Sequence, residues 1–218
     1  IHAKLPYDRD TDLTPIPTTS EVLFAIAVHA AVPAATMADF GAFVRANPGK
    51  LNWAAAPGLP RFVLERHRRE QKLEMVYVSY NQTGTAVQDL GEGRIHAMIG
   101  SVSTLMPLLE SKKAKLIAIA SRSRSALATD VASATESGFP ELAVPAVGCV
   151  YGSKGMPVDL RDRIARDVGA VAADEEIAAR LAKIGQVVRR STPAELARLL
   201  ADQRTSLAPL ADAMKEQK

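Results

Sequence analysis

One stretch constrains the fold more than any other: residues 75–100, MVYVSYNQTGTAVQDLGEGRIHAMIG. Residues 75–79 are a short apolar run, YNQTG is a polar turn with a glycine, 85–90 have helical character, and 94–99 are apolar again. That order reads as strand, loop, helix, strand. Similar units flank it. Upstream, 50–55 (KLNWAA) lead through APGLP into a helical 61–71 and on to the strand at Met75. Downstream, the 94–99 strand leads through GSVS into a helix over 104–112 and a strand over 115–120. Three overlapping βαβ units imply an α/β fold with a parallel sheet covered by helices, because parallel neighbours need a long crossover and a helix supplies it.

In such a sheet the loops that follow the strands leave at one edge, where open α/β folds bind ligands. Here those loops are 55–60, 80–85 and 100–103. All are small, polar or glycine-bearing, and none carries a charged side chain before Arg61. Each opens into a helix, so backbone N–H groups and the positive end of a helix dipole face whatever sits there, which suits a small anion. Taken singly, ordinary βα turns made of turn-compatible residues look the same. The convergence of three is what points to a site.

The 218 residues, 47% of them apolar, are enough for one large domain or two small ones. No run approaches the ~18 apolar residues of a membrane span. The most hydrophobic segment, 22–32, is short, holds His29, and reads as a buried strand over 22–28. Net charge is only +3. The densest basic cluster, Arg66-His67-Arg68-Arg69, reads as a solvated helix face. Aromatic content of 5% offers little for base stacking, so nucleic acid is not expected as a partner. The single cysteine, Cys149, lies in an apolar run and is expected to be a buried structural residue. No positively charged start with an apolar core follows Ile1, so no export signal is visible in these residues.

Taken in order, residues 1–17 are polar and proline-punctuated and read as a connection. Thr36, with Asp39 three residues on, caps a helix over 37–46. After residue 120 the run SRSRSALATD is too polar for a core element, and 131–138 reads as a short helix ended by Gly138. Residues 144–151 form another apolar strand, expected to lie beside 22–28 as the hinge of a two-lobed protein. Helices follow over 158–173, behind Pro157, and over 175–184, capped by Gly185, with a short strand over 186–190. Thr192-Pro193-Ala194-Glu195 is a full capping box with proline at N1. It opens a helix toward Met214 whose apolar face carries Leu196, Leu199, Leu200, Leu207 and Leu210, and Pro209 is expected to kink or shorten it.

An enzyme would need a constellation of reactive groups. His2, His29, His67 and His96 are scattered without metal-ligand spacing, and GxSxG, the P-loop and GxGxxG are all missing. Carboxylates do not pair in the βα loops. No cofactor and no metal are expected, and the residues favour binding over catalysis.

KLPYD near the start, PGKLNWAAAPGLP over 48–60, VSYNQTGTAVQDLGEGRIHAMIG, LIAIASRSRSALATDVASATESGFPEL and the GMPVDLRDRI…STPAELARLL tail together resemble the tripartite tricarboxylate transporter receptors, the TctC or Bug family of periplasmic solute-binding proteins. The resemblance implies a two-lobed, Venus-flytrap α/β fold, a periplasmic location, a small carboxylate in the cleft and membrane permease subunits as partners. It implies that 25–148 form the second lobe and that 1–24 with 149–218 form part of a first lobe, which is expected to be incomplete here because the family's first strand and glycine-rich loop precede KLPYD. It also implies weaker binding than a chain with that segment would show. The loop at Ala54-Ala55-Ala56-Pro57-Gly58-Leu59-Pro60 departs from the serine- and glycine-rich loop of relatives, and Tyr80-Asn81-Gln82 with Gly84 replaces their tyrosine, basic residue and glycine.

On this basis the site is expected at Ala56, Pro57, Gly58 and Leu59, at Tyr80, Asn81, Gln82, Thr83, Gly84 and Thr85, and at Ser101 and Ser103. Backbone amides and hydroxyls of the second group would hold one carboxylate, the serines would add polar contacts, and Trp53 or Leu59 would form an apolar wall unless Trp53 is plain core. The expected function is capture of a mono- or dicarboxylate for a transporter. A sensor or interaction module with a vestigial cleft is the alternative, and an enzyme of small acids ranks last.

Overall fold

The computed structural model describes residues 6–9, 11–143 and 146–215. In chain order the elements are β1 (Leu13–Val22), β2 (Phe24–His29), α1 (Met37–Ala46), β3 (Leu51–Ala55), α2 (Leu59–Glu70), β4 (Met75–Tyr77), α3 (Thr83–Gly91), β5 (Ala97–Ser101), α4 (Val102–Glu110) and β6 (Ala114–Ile119). A 3₁₀ turn (Pro140–Leu142), β7 (Ala146–Ser153), α5 (Val158–Val171), α6 (Glu175–Lys183), β8 (Gln186–Val188) and α7 (Pro193–Lys215) complete the list. The chain divides into two compact units: Leu23–Ala146 is one, and the residues up to Val22 with those from Val147 on make the other.

The unit Leu23–Ala146 is built on a five-stranded sheet in the order β4-β3-β5-β2-β6. β3 is parallel to β4 and to β5, as three βαβ units demand. β2 is antiparallel to β5 and to β6, so the all-parallel expectation holds for only part of the sheet. The reason is connectivity: β2 arrives from β1 through a single residue rather than through a helical crossover, and it fills the place between β5 and β6.

Side chains alternate along these strands with period two and bury both faces. Ile26, Val28, Trp53, Ala97 and Ile99 share one cluster with Phe40 and Val44 of α1 and Val63 and Leu64 of α2. Ala25, Ala27, Ala54 and Met98 share the other with Ala86 and Leu90 of α3 and Leu105 and Leu108 of α4. The three alanines keep that face low. Trp53 is 1% exposed, so it is core and not a wall of a binding site.

The basic run on α2 is not a solvated face. Arg68 and Arg69 both pair with Glu65, at 2.8 and 2.7 Å. His67 is buried against Phe139, with Nδ1 2.8 Å from Glu141 Oε1, and Arg66 donates to the Glu141 carbonyl. Four consecutive polar residues are consumed internally because an acidic residue on the same helix and the turn at Pro140 face them. Burial pushes the Glu65 carboxyl up, but Arg68 and Arg69 together bring it below its ordinary value.

Thr36 caps α1 as expected, with Asp39 N–H donating to Thr36 Oγ1 at 3.1 Å and Thr36 N–H to Asp39 Oδ2 at 3.0 Å. Thr192 and Glu195 do the same for α7, which continues past Pro209 instead of ending there. Residues 131–138 form turns rather than a helix: Ala134 N–H donates to Ile119 O and Phe139 N–H to Ala134 O, tying the segment to the end of β6.

In the other unit three strands are ordered β7-β1-β8, and β1 runs antiparallel to β8 with Ser20 opposite Val188. β1 starts at Leu13, inside the segment read as a connection, and the strand expected over 22–28 is two strands divided at Leu23. The neighbour of β7 is therefore β1 and not 22–28; Val144 and Pro145, the start of the expected strand, lie outside the described residues, as does the Lys4-Leu5 part of KLPYD. Cys149 on β7 is half-buried rather than buried. Ile16 and Leu196 are fully buried, and the buried polar pair Thr18 and Ser20 is satisfied, Thr18 Oγ1 donating to Arg189 O at 3.0 Å and Ser20 Oγ to Gln186 Oε1 at 2.8 Å.

Candidate functional site

The parallel register puts the C-terminal ends of β3, β4 and β5 at one edge of the sheet: Ala55 lies opposite Ile99 and Trp53 opposite Tyr77. β2 begins at the same edge, Phe24 opposite Ser101, and β6 ends there, Ala25 opposite Ile119. All the expected site residues therefore gather along one edge. Their roles differ.

Ala56 is spent on the sheet, its N–H donating to Ile99 O at 2.8 Å, so it has none left for a ligand. Pro57 and Gly58 are exposed. Gly58 takes φ +84° and ψ −134°, a conformation that L side chains rarely adopt, and it supplies no side chain to cap α2. Leu59 is the first residue of α2 and borders an apolar dimple of about 10 Å³ with Phe24, Pro60, Ile99 and Ala120. Pro60 brings no N–H, and Arg61 N–H returns to Gly58 O at 3.2 Å.

Asn81 and Gln82 are exposed, and Gln82 precedes α3 without a side-chain capping bond. Thr83, Gly84 and Thr85 are helical, which shortens the expected loop. Tyr80 does not offer its hydroxyl: it donates to Asp89 Oδ2 at 2.6 Å, and Asp89 also takes Arg94 Nε at 2.8 Å. Burial and then this carboxylate push the Tyr80 phenol up to about 12, while the Tyr80 hydroxyl and Arg94 hold Asp89 below its usual range.

The third loop does not exist as a loop. Gly100 and Ser101 are in β5, and Ser103 is in the first turn of α4. Ser101 is the cap of that helix, accepting from Thr104 N–H at 3.3 Å, and its Oγ also meets Ser103 Oγ at 3.2 Å and Thr104 Oγ1 at 2.5 Å. Ser101 therefore caps α4, and Ser103 touches that cap.

What remains is a pattern of capping. α1, α4, α6 and α7 receive a side-chain bond at their first turn, from Thr36, Ser101, Asp174 and Thr192. α2, α3 and α5 receive none, and of these α2 and α3 belong to the unit Leu23–Ala146. These two helices follow adjacent strands and start at the same sheet edge, so their first-turn N–H groups and aligned dipoles form an uncapped positive pair. The residue that the loop reading left out is Arg61, in the first turn of α2. Its guanidinium carbon lies 4.3 Å from the centroid of the Tyr77 ring, and that ring is 4.8 Å from Trp53. No group of three or more potential metal ligands occurs among the described residues.

Residues 1–215 match the family model described as the tripartite tricarboxylate transporter family receptor, TctC. A UPF0065 protein of Bordetella bronchiseptica is 27% identical over 206 residues, which take in 94% of this chain and 61% of that protein. Another, from the tcbD-tcbE intergenic region of a Pseudomonas species, is 25% identical over 202 residues, 91% of this chain and 60% of its own length. The chain thus spans about 60% of the length of these curated relatives. Among solved structures, one described as a periplasmic transporter aligns with a TM-score of 0.80 at 25% identity, covering 99% of this chain and 72% of that one. MatC of Rhodopseudomonas palustris with bound malate aligns with a TM-score of 0.76 at 25% identity, covering 96% and 72%. The fold is that of periplasmic binding proteins.

Proposed function

Because the chain belongs to the TctC family of tripartite tricarboxylate transporter receptors, we propose that it is a binding protein and not an enzyme, which captures a small organic acid outside the cytoplasm for a membrane permease. The observation that carries this reading is the uncapped pair of helix starts, α2 behind Gly58 and α3 behind Gln82, at one edge of the sheet. Gly58 and Leu59 N–H from one side, and Thr83 and Gly84 N–H with the Thr83 and Thr85 hydroxyls from the other, are the donors for a carboxylate. Hydrogen bonds to a charged group contribute about 1.5–3 kcal/mol each, and micromolar binding needs about 8 kcal/mol. Two helix starts reach that sum only by acting together, since association itself costs several kcal/mol.

The malate on MatC supports a carboxylate as the ligand class. The test is a thermal-shift panel of mono- and dicarboxylates at fixed pH and ionic strength, with phosphate and sulfate as controls. Binding to the native state raises the melting temperature by mass action. A rise with one carboxylate class supports the receptor reading. No rise with any acid, from a cooperatively melting sample, sinks it and favours a sensor or interaction module.

A further inference from the structure

We draw no further inference here: the strongest candidate, the apolar trough of about 340 Å³ between α5, α6, β1 and β8, is an unpartnered face, and nothing in the structure shows what covers it.

Discussion

In the unit Leu23–Ala146 the helices bury what they present: Phe40 and Val44 of α1, Val63 and Leu64 of α2, Leu90 of α3 and Leu105 of α4 are all removed from solvent. In the other unit α5 and α6 are equally amphipathic yet bury no residue, and Val158, Leu160, Val171, Ile184 and Val187 stay exposed. Between α5, α6, β1 and β8 lies an apolar trough of about 340 Å³ lined by Val168, Val171, Ile177, Leu181 and Val188. Helix formation and helix burial are therefore separate achievements. Caps such as Asp174 and residues of good helix propensity are enough for the first. The second needs a partner surface to receive the stripe, and this chain spans only about 60% of the length of its curated relatives.

The comparison makes graded predictions. The largest effect belongs to the core: Phe40→Ala should cost about 3–5 kcal/mol in denaturant unfolding, and Leu181→Ala, at the trough, less than about 1 kcal/mol. Equal losses would break the contrast. Next come two glycines with the same backbone problem. Gly58 (φ +84°) and Gly155 (φ +77°) both have open space where a Cβ would go, so alanine at either should cost about 1–3 kcal/mol from conformation alone. Only Gly58→Ala should also diminish the carboxylate-induced rise in melting temperature. A Gly155→Ala protein with the same deficit would dissociate that response from the α2 start.

Acid should act on the unit Leu23–Ala146 first. Glu65, Asp89, Asp39 and Glu136 are all held below their ordinary values there, against Glu195 in the other unit among the described residues with a shift. A depressed carboxyl contributes stability that is present above its unfolded pKa, near 4, and is lost as pH falls through the folded value. Far-UV melts recorded from neutral pH to below pH 4 should lose this unit's transition first, and Glu65→Gln should flatten the decline. The smallest effect is spectroscopic. Tyr80 and Tyr151, one in each unit, are each pushed up to about 12, Tyr80 by burial and Asp89 and Tyr151 by burial and Cys149. A raised phenol contributes stability below its unfolded pKa, near 10, that is lost as pH rises toward 12. Ultraviolet titration should show two late tyrosines, and Tyr80→Phe should remove one of them without altering carboxylate binding.

Local signals in the sequence were legible where one residue answers one backbone need. The Thr36 and Thr192 caps, the β3-α2-β4-α3-β5 succession and the edge that carries the loops all follow from such signals. What the sequence did not reveal depends on partners far along the chain. The polar stretch before Leu13 hid β1 because its partner β8 begins only at Gln186. The direction of β2 was invisible because hydrophobic period does not encode which neighbour a strand takes. Arg66 and His67 looked solvated because Glu141 is distant in sequence, and the cap at Ser101 was hidden because a cap and a ligand donor use the same hydroxyl. Arg61 was passed over because its orientation comes from Tyr77, on another strand.

The single residue between β1 and β2 has a consequence for assembly. A ribosome delivers β1 early, then the whole unit Leu23–Ala146, and only afterwards β7 and β8. The Ser20–Gln186 hydrogen bond closes across 166 positions. β1 therefore meets β8 only after the unit Leu23–Ala146 has been synthesised. Long-range pairing of this kind is slow, so the pairing of β1 with β8 is expected late in folding.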